Sequence, residues 1–126
     1  MGVASLVQWS NASLLLADVA FGRGELTASR EHLERARQRL EVAAGQALVA
    51  DRAQRRLAIV HERLGAIAGV ENRLDDAIAS YQRSLALHGA VPAPDPDAYG
   101  LSLIRLGRME QVRGEVDRAR DHYRQA

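Results

Sequence analysis

Four histidines, seventeen arginines and a scatter of carboxylates are the groups in this chain from which chemistry could be built. The histidines stand at 32, 61, 88 and 122. His61-Glu62 opens like the helix of a zinc protease, in which two histidines four residues apart grip the metal and the glutamate between them acts as base. Gly65 stands where the second ligand is required. A metal needs three or four converging donors, and no other spacing supplies them, so no metal or cofactor is expected. Gly22-Arg23-Gly24 has the outline of a phosphate-cradling loop, but Thr27 replaces the third glycine and no strand pattern precedes it. The segment reads as a turn between helices. There is no nucleophile elbow, no phosphate loop and no paired carboxylate motif. No catalytic residue is assigned, and an enzyme is not expected.

The arginines are the remaining candidates. All 17 basic residues are Arg and none is Lys, which reads first as a coding bias. Function would use the guanidinium fork, which grips carboxylates and phosphates through two parallel hydrogen bonds. The formal net charge is only +1, and acids and bases alternate, as in Arg30-Glu31 and Glu34-Arg35. That is a solvated surface with helix-spaced ion pairs, not a nucleic-acid footprint. Without cysteine there is neither a disulfide framework nor a thiolate site, and a cytoplasmic location is expected. Residues 3–17 are mildly apolar but lack a basic lead-in and end at Asp18. They are too short and too polar for a membrane span and make a weak match to a signal peptide.

What positions these groups is a pattern written twice, 42 residues apart. Leu64-Gly65, Asn72, Ala77 and Tyr81 recur as Leu106-Gly107, Gly114, Ala119 and Tyr123. Each copy is two amphipathic stretches around a turn residue. Leu57, Val60, Leu64, Ile67 and Ala68 fall on one helical face, as do Leu74, Ala77, Ile78, Tyr81 and Leu85 after the turn. Asn72 and Gly114 suit the left-handed conformation that ends a helix. Gly65 and Gly107 lie inside helices, where glycine costs about 1 kcal/mol against alanine. That cost predicts a partner helix passing too close for a side chain. A weaker copy lies 48 residues upstream of the first, with Leu16-Ala17, Gly24, Ser29 and Leu33 in matching places. It predicts Trp9, Ala12, Leu16, Val19 and Ala20 as the seam of the first helix. The expected pairs span about 5–45, 48–89 and 97–126, in a single domain that fills residues 1–126. The three prolines, at 92, 94 and 96, all fall in the loop before the last pair.

The Leu-Gly pair, the Asn or Gly turn, the alanine and the aromatic four residues later resemble the tetratricopeptide repeat. The spacing exceeds that family's usual ~34 residues, and the segment Ala90–Asp97 accounts for the excess as a longer loop. The resemblance implies an all-α, right-handed superhelical stack of three antiparallel helix pairs, with Leu64, Gly65, Ala77, Tyr81, Leu106, Gly107, Gly114, Ala119 and Tyr123 as packing positions. It also implies a concave groove lined by the first helix of each pair. Mapped onto this chain, the groove candidates are Asn11, Leu14, Asp18 and Phe21, then Ile59, Glu62, Arg63 and Ala66, then Leu101, Arg105, Arg108 and Gln111. Arg63, Arg105 and Arg108 on one wall could hold a carboxylate or an acidic peptide; the alternative, which the sequence favours, is that they are ordinary solvated arginines. The carboxylate clamp of some co-chaperone members is disfavoured, because Leu14, Asp18 and Leu101 stand where it needs Lys, Asn and Lys.

The expected function is protein–protein interaction, with a peptide or partner helix in the groove. Longer repeats of this kind resemble those of bacterial multidomain signalling ATPases and transcription regulators, where they form a sensor or regulatory arm. Two alternatives are a small-ligand or peptide-signal sensor, with a pocket near Phe21, Ile59 and Arg63, and a structural oligomerisation module. Val116, Ala119 and Tyr123 have no capping helix after them. The chain is therefore expected to be a piece of a longer array, or to self-associate through its terminal helices.

Overall fold

Every amphipathic stretch becomes a helix, and each helix packs antiparallel on the one before it. The computed structural model describes residues 3–46, 50–92 and 94–125. The helices are α1 (Val3–Gly22), α2 (Leu26–Ala44), α3 (Ala50–Val70), α4 (Leu74–Ala90) and α5 (Pro96–Gln125). α1 pairs with α2 and α3 with α4 as tight hairpins, α2 contacts α3, and α5 lies against α4. The chain is thus all-α. No helix among the described residues is long and apolar enough to cross a membrane.

Two turns close the hairpins in the same way. Gly24 and Asn72 both take positive φ, 75° and 60°. Beyond each, a backbone N–H reaches back five residues: Glu25 to the Ala20 carbonyl at 2.9 Å, and Arg73 to the Ala68 carbonyl at 2.8 Å. That closure satisfies carbonyls the helix end would otherwise leave orphaned. The equivalence of Gly24 and Asn72 in sequence is therefore an equivalence of backbone.

The core has two parts. Val7, Leu14 and Ala17 of α1 meet Leu33, Ala36, Leu40 and Ala43 of α2 and Ala53, Leu57, Val60 and Ile67 of α3. A smaller cluster of Ala68, Ala77 and Tyr81 takes Leu106 and Met109 from α5. At Gly65 the partner helix does come close, but through a side chain: a Cβ there would stand 3.0 Å from the Tyr81 ring, where the repeat pattern predicts the small residue Ala77 opposite. Two buried serines reinforce the hairpins. Ser29 Oγ donates to the Ala17 carbonyl and Ser84 Oγ to the Ala58 carbonyl, each at 2.8 Å. In both cases the second helix of a pair is bonded to the backbone of the first.

Three expectations need correction. First, the third pair is a single helix: α5 runs unbroken through Gly114, which does not adopt positive φ. The arm after Gly114 is too polar to fold back. Arg120 stands where Ile78 stands one period earlier, so the arm offers little apolar surface in return for breaking helical hydrogen bonds. Second, Gly107 consequently has no close neighbour, since a Cβ there would meet nothing within 4 Å. Ala119 is exposed, and Tyr123 is 83% exposed where Tyr81 is 4% exposed.

Third, the seam of α1 is rotated. Ser10, Ser13, Leu14, Ala17 and Ala20 are buried, whereas Ala12, Leu16 and Val19 face outward and Trp9 is only half-buried, under the Arg39 guanidinium. The 48-residue shift places Ala12, Leu16 and Val19 opposite Val60, Leu64 and Ile67, the positions by which α3 meets the core. Among the described residues no helix precedes α1, so those positions of α1 have nothing to meet. Asp51 lies in the first turn of α3. Ala47, which continues the seven-residue spacing of Leu26, Leu33 and Leu40 in the sequence, falls outside the described residues, as does Ala126.

Candidate functional site

α1, α3 and α5 frame one cleft. It is lined by Asp18, Phe21 and Gly22 of α1, Ser29 of α2, Glu62, Arg63 and Ala66 of α3, and Arg105 of α5, and encloses about 390 Å³. The helical repeat explains the assembly. Glu62, Arg63 and Ala66 lie within four residues of one another and so share one sector of α3. Asp18 and Phe21 are three apart on α1 and do the same. Phe21, Gly22 and Ala66 give an apolar floor, and two ion pairs give the walls.

The two pairs differ in burial. Arg63 grips Asp18 with both arms of its fork, Nε to Oδ1 at 2.6 Å and Nη2 to Oδ2 at 3.1 Å. Their side chains are 35% and 47% exposed. One α1 heptad earlier, Arg56 Nε donates to Asn11 Oδ1 at 2.7 Å, so α1 and α3 are tied twice along the same edge. The second pair joins α3 to α5: Arg105 Nη1 meets Glu62 Oε1. The Glu62 side chain is only 11% exposed, so this carboxylate depends on Arg105 for its compensation. An exposed pair contributes about 0–1 kcal/mol. Stripping the partner from a buried carboxylate costs several times more, about 1–3 kcal/mol for a site this shielded.

Of the residues singled out by sequence, Asp18, Phe21, Glu62, Arg63, Ala66 and Arg105 come together. Leu14 does not: it belongs to the core. Ile59 is half-buried against the same core and lies outside the lining, so a pocket near Phe21, Ile59 and Arg63 forms only in part. Arg108 and Gln111 are exposed on α5, outside the cleft. They follow Arg105 by three and six residues, about 60° and 120° around the helix. Leu101 is exposed too. The three-arginine wall therefore reduces to two arginines, both already paired within the chain. Sequence reasoning missed Gly22 and Ser29. Ser29 was legible only as a small residue in the alanine position of the repeat.

Two histidines lie away from the cleft. Burial holds the His88 imidazole below its ordinary pKa, with Asp95 acting against and Arg55 with that shift. His88 is 4% exposed, and its Nε2 has no hydrogen-bond partner. His61 is shifted down by burial and by the nearby Arg83 and Arg37, opposed by Glu41 and Glu34. Among the described residues no three His, Cys, Asp or Glu side chains gather as a metal site would require. No family model, no curated protein and no solved structure matches the chain.

Proposed function

We propose that the chain is a protein-interaction module of tetratricopeptide type, a right-handed helical stack that receives a peptide or partner helix in the α1–α3–α5 cleft. One observation carries the reading: the first helices of the two hairpins and α5 put their polar side chains into a common cleft with an apolar floor. Its volume lies at the low end of the range for ligand pockets and has room for one or two side chains of a bound peptide. The hairpins on either side hold the walls in place, so binding would cost little ordering. A regulatory or sensor arm of a larger cytoplasmic protein is the setting this suits.

The test is selection of a displayed peptide library on the intact chain, with counter-measurement on two variants. Ala66→Trp fills the cleft, and Gln82→Trp places the same bulk on an exposed position of α4. Selected peptides should lose at least about tenfold in affinity on Ala66→Trp, roughly 1.4 kcal/mol, and bind Gln82→Trp unchanged. Equal binding to all three proteins would refute the reading.

A second reading rests on a different feature. Val112, Val116, Ala119 and Tyr123 recur at four- and three-residue steps along α5, and all are exposed. This is the spacing of a helix–helix seam, and it suits an oligomerisation module in which α5 pairs with a second copy. Concentration-dependent sedimentation that Val116→Glu abolishes is the expected result, and a monomer at millimolar concentration would contradict it.

A further inference from the structure

The two ion pairs of the cleft are not equally available to a ligand. Glu62 is buried, so Arg105 cannot leave it without stranding a carboxylate away from water. Arg105 is thus committed to fastening α5 to α3. Arg63 and Asp18 are each at least a third exposed. Their separation costs little, because water receives whichever group is released. Asp18, the more exposed of the two, is the easier to rehydrate.

From this asymmetry we propose that the cleft takes a carboxylate carried on an apolar group, held by Arg63, and that Asp18 is the built-in competitor occupying the same fork. The inference rests on the reading of the cleft as the interaction site and names the chemistry of its occupant. The planar fork of Arg63 already binds one carboxylate through two parallel bonds, and an incoming one reproduces that geometry. Phe21 and Ala66 lie beside it and provide apolar contact for the group behind the carboxylate. Asp18 and Glu62 both border the cleft and oppose any anion, a dianion such as a phosphate monoester about twice as strongly as a single carboxylate. A cationic ligand would have to take Asp18 from a bidentate partner and offer a point charge in exchange. The competitor sets a threshold: binding is weak while Asp18 holds the fork and stronger once it is displaced.

The test uses the whole chain and two probes of the same shape and opposite charge, phenylacetate and benzylamine, followed by NMR at the Arg63 Nε–H and the Ala66 methyl. Phenylacetate is expected to move both signals. It should bind up to about fivefold tighter to Asp18→Asn, the gain from removing an exposed pair, and lose its effect in Arg63→Gln. Benzylamine is expected to leave Arg63 unmoved. Arg63 and Asp18 are each at least a third exposed, so each variant should lose little stability and still melt in one cooperative transition, and that control separates loss of binding from loss of fold. No shift with phenylacetate even in Asp18→Asn, or undiminished binding to Arg63→Gln, would overturn the inference. Peptides that depend on Ala66 yet bind Arg63→Gln at full affinity would also overturn it while leaving the interaction reading intact. Peptides indifferent to Ala66→Trp would instead remove that reading.

Discussion

The α3–α4 hairpin and α5 begin from nearly the same residues and end as different structures. In the hairpin, Asn72 turns left-handed, α4 folds back, and the Tyr81 ring lies on Gly65. In α5, Gly114 stays helical, Tyr123 projects into solvent, and Gly107 faces open space. The motif letters are alike, so they do not decide the outcome. The decisive difference lies beside them. Leu74, Ala77, Ile78 and Tyr81 give α4 a continuous apolar face, whereas Val116, Ala119, Arg120 and Tyr123 interrupt it with a charge. A turn residue permits a hairpin, and burial drives it.

The largest effects should come from testing that contrast at its aromatic residues. Tyr81→Ala removes a buried ring and should lower stability by about 3–5 kcal/mol. Tyr123→Ala removes an exposed one and should change it by less than about 0.5 kcal/mol. Chemical denaturation of both variants checks the pair, and similar losses would mean that Tyr123 is packed after all.

The glycines sharpen the comparison by sign. Gly65→Ala places a methyl 3.0 Å from the buried Tyr81 ring, which must shift to admit it, and should destabilise by about 1–2 kcal/mol after the helix-propensity gain. Gly107→Ala meets nothing and should stabilise by about 1 kcal/mol. Stabilisation by both substitutions would remove the close approach at Gly65 from the account.

Much of this fold was legible because helical periodicity and turn chemistry are local. The hairpins, the positive φ at Asn72 and the seam of α3 all follow from residues within about one repeat of each other. The tyrosine that faces Gly65 does not, since the repeat pattern pairs that glycine with the small residue Ala77. What was not legible depends on neighbours. Alignment with α3 predicts the wrong face of α1, because α3 has a helix before it and α1 has none among the described residues. The motif predicts a fold-back at Gly114, and the residue that opposes it, Arg120, lies outside the motif. The cleft was half legible. Spacing placed Glu62, Arg63 and Ala66 in one sector, and helix order brought Asp18, Phe21 and Arg105 to it. That the two arginines would already be paired is a matter of side-chain geometry between helices, which no one-dimensional pattern records. Arg108 and Gln111 were lost because they sit around the helix from Arg105.

Smaller effects concern charge. Breaking the buried end of the α3–α5 tie with Arg105→Gln should cost about 1–3 kcal/mol. Arg63→Gln, which breaks the exposed α1–α3 tie, should cost less than about 1 kcal/mol. Thermal melts at matched ionic strength check the order, and reversal would mean that Glu62 is better solvated than its burial indicates. The histidines add a pH dependence. Burial lowers the folded-state pKa of His61 and His88 below the unfolded value of about 6.5. Below that pH the unfolded chain binds more protons than the folded one, so stability should be full above about pH 6.5 and fall as the solution is acidified. His88→Gln should flatten part of that slope, and an unchanged slope in His88→Gln and His61→Gln together would contradict the assignment.

The claim at the centre of this account is that the cleft between α1, α3 and α5 is the surface through which the chain meets its partner. Amide shift mapping of the intact chain with a peptide selected on it tests that directly. Shifts are expected to concentrate at Phe21, Glu62, Arg63, Ala66 and Arg105. Shifts concentrated on the outward faces of α2 and α4, or along Val116 to Tyr123, would contradict it.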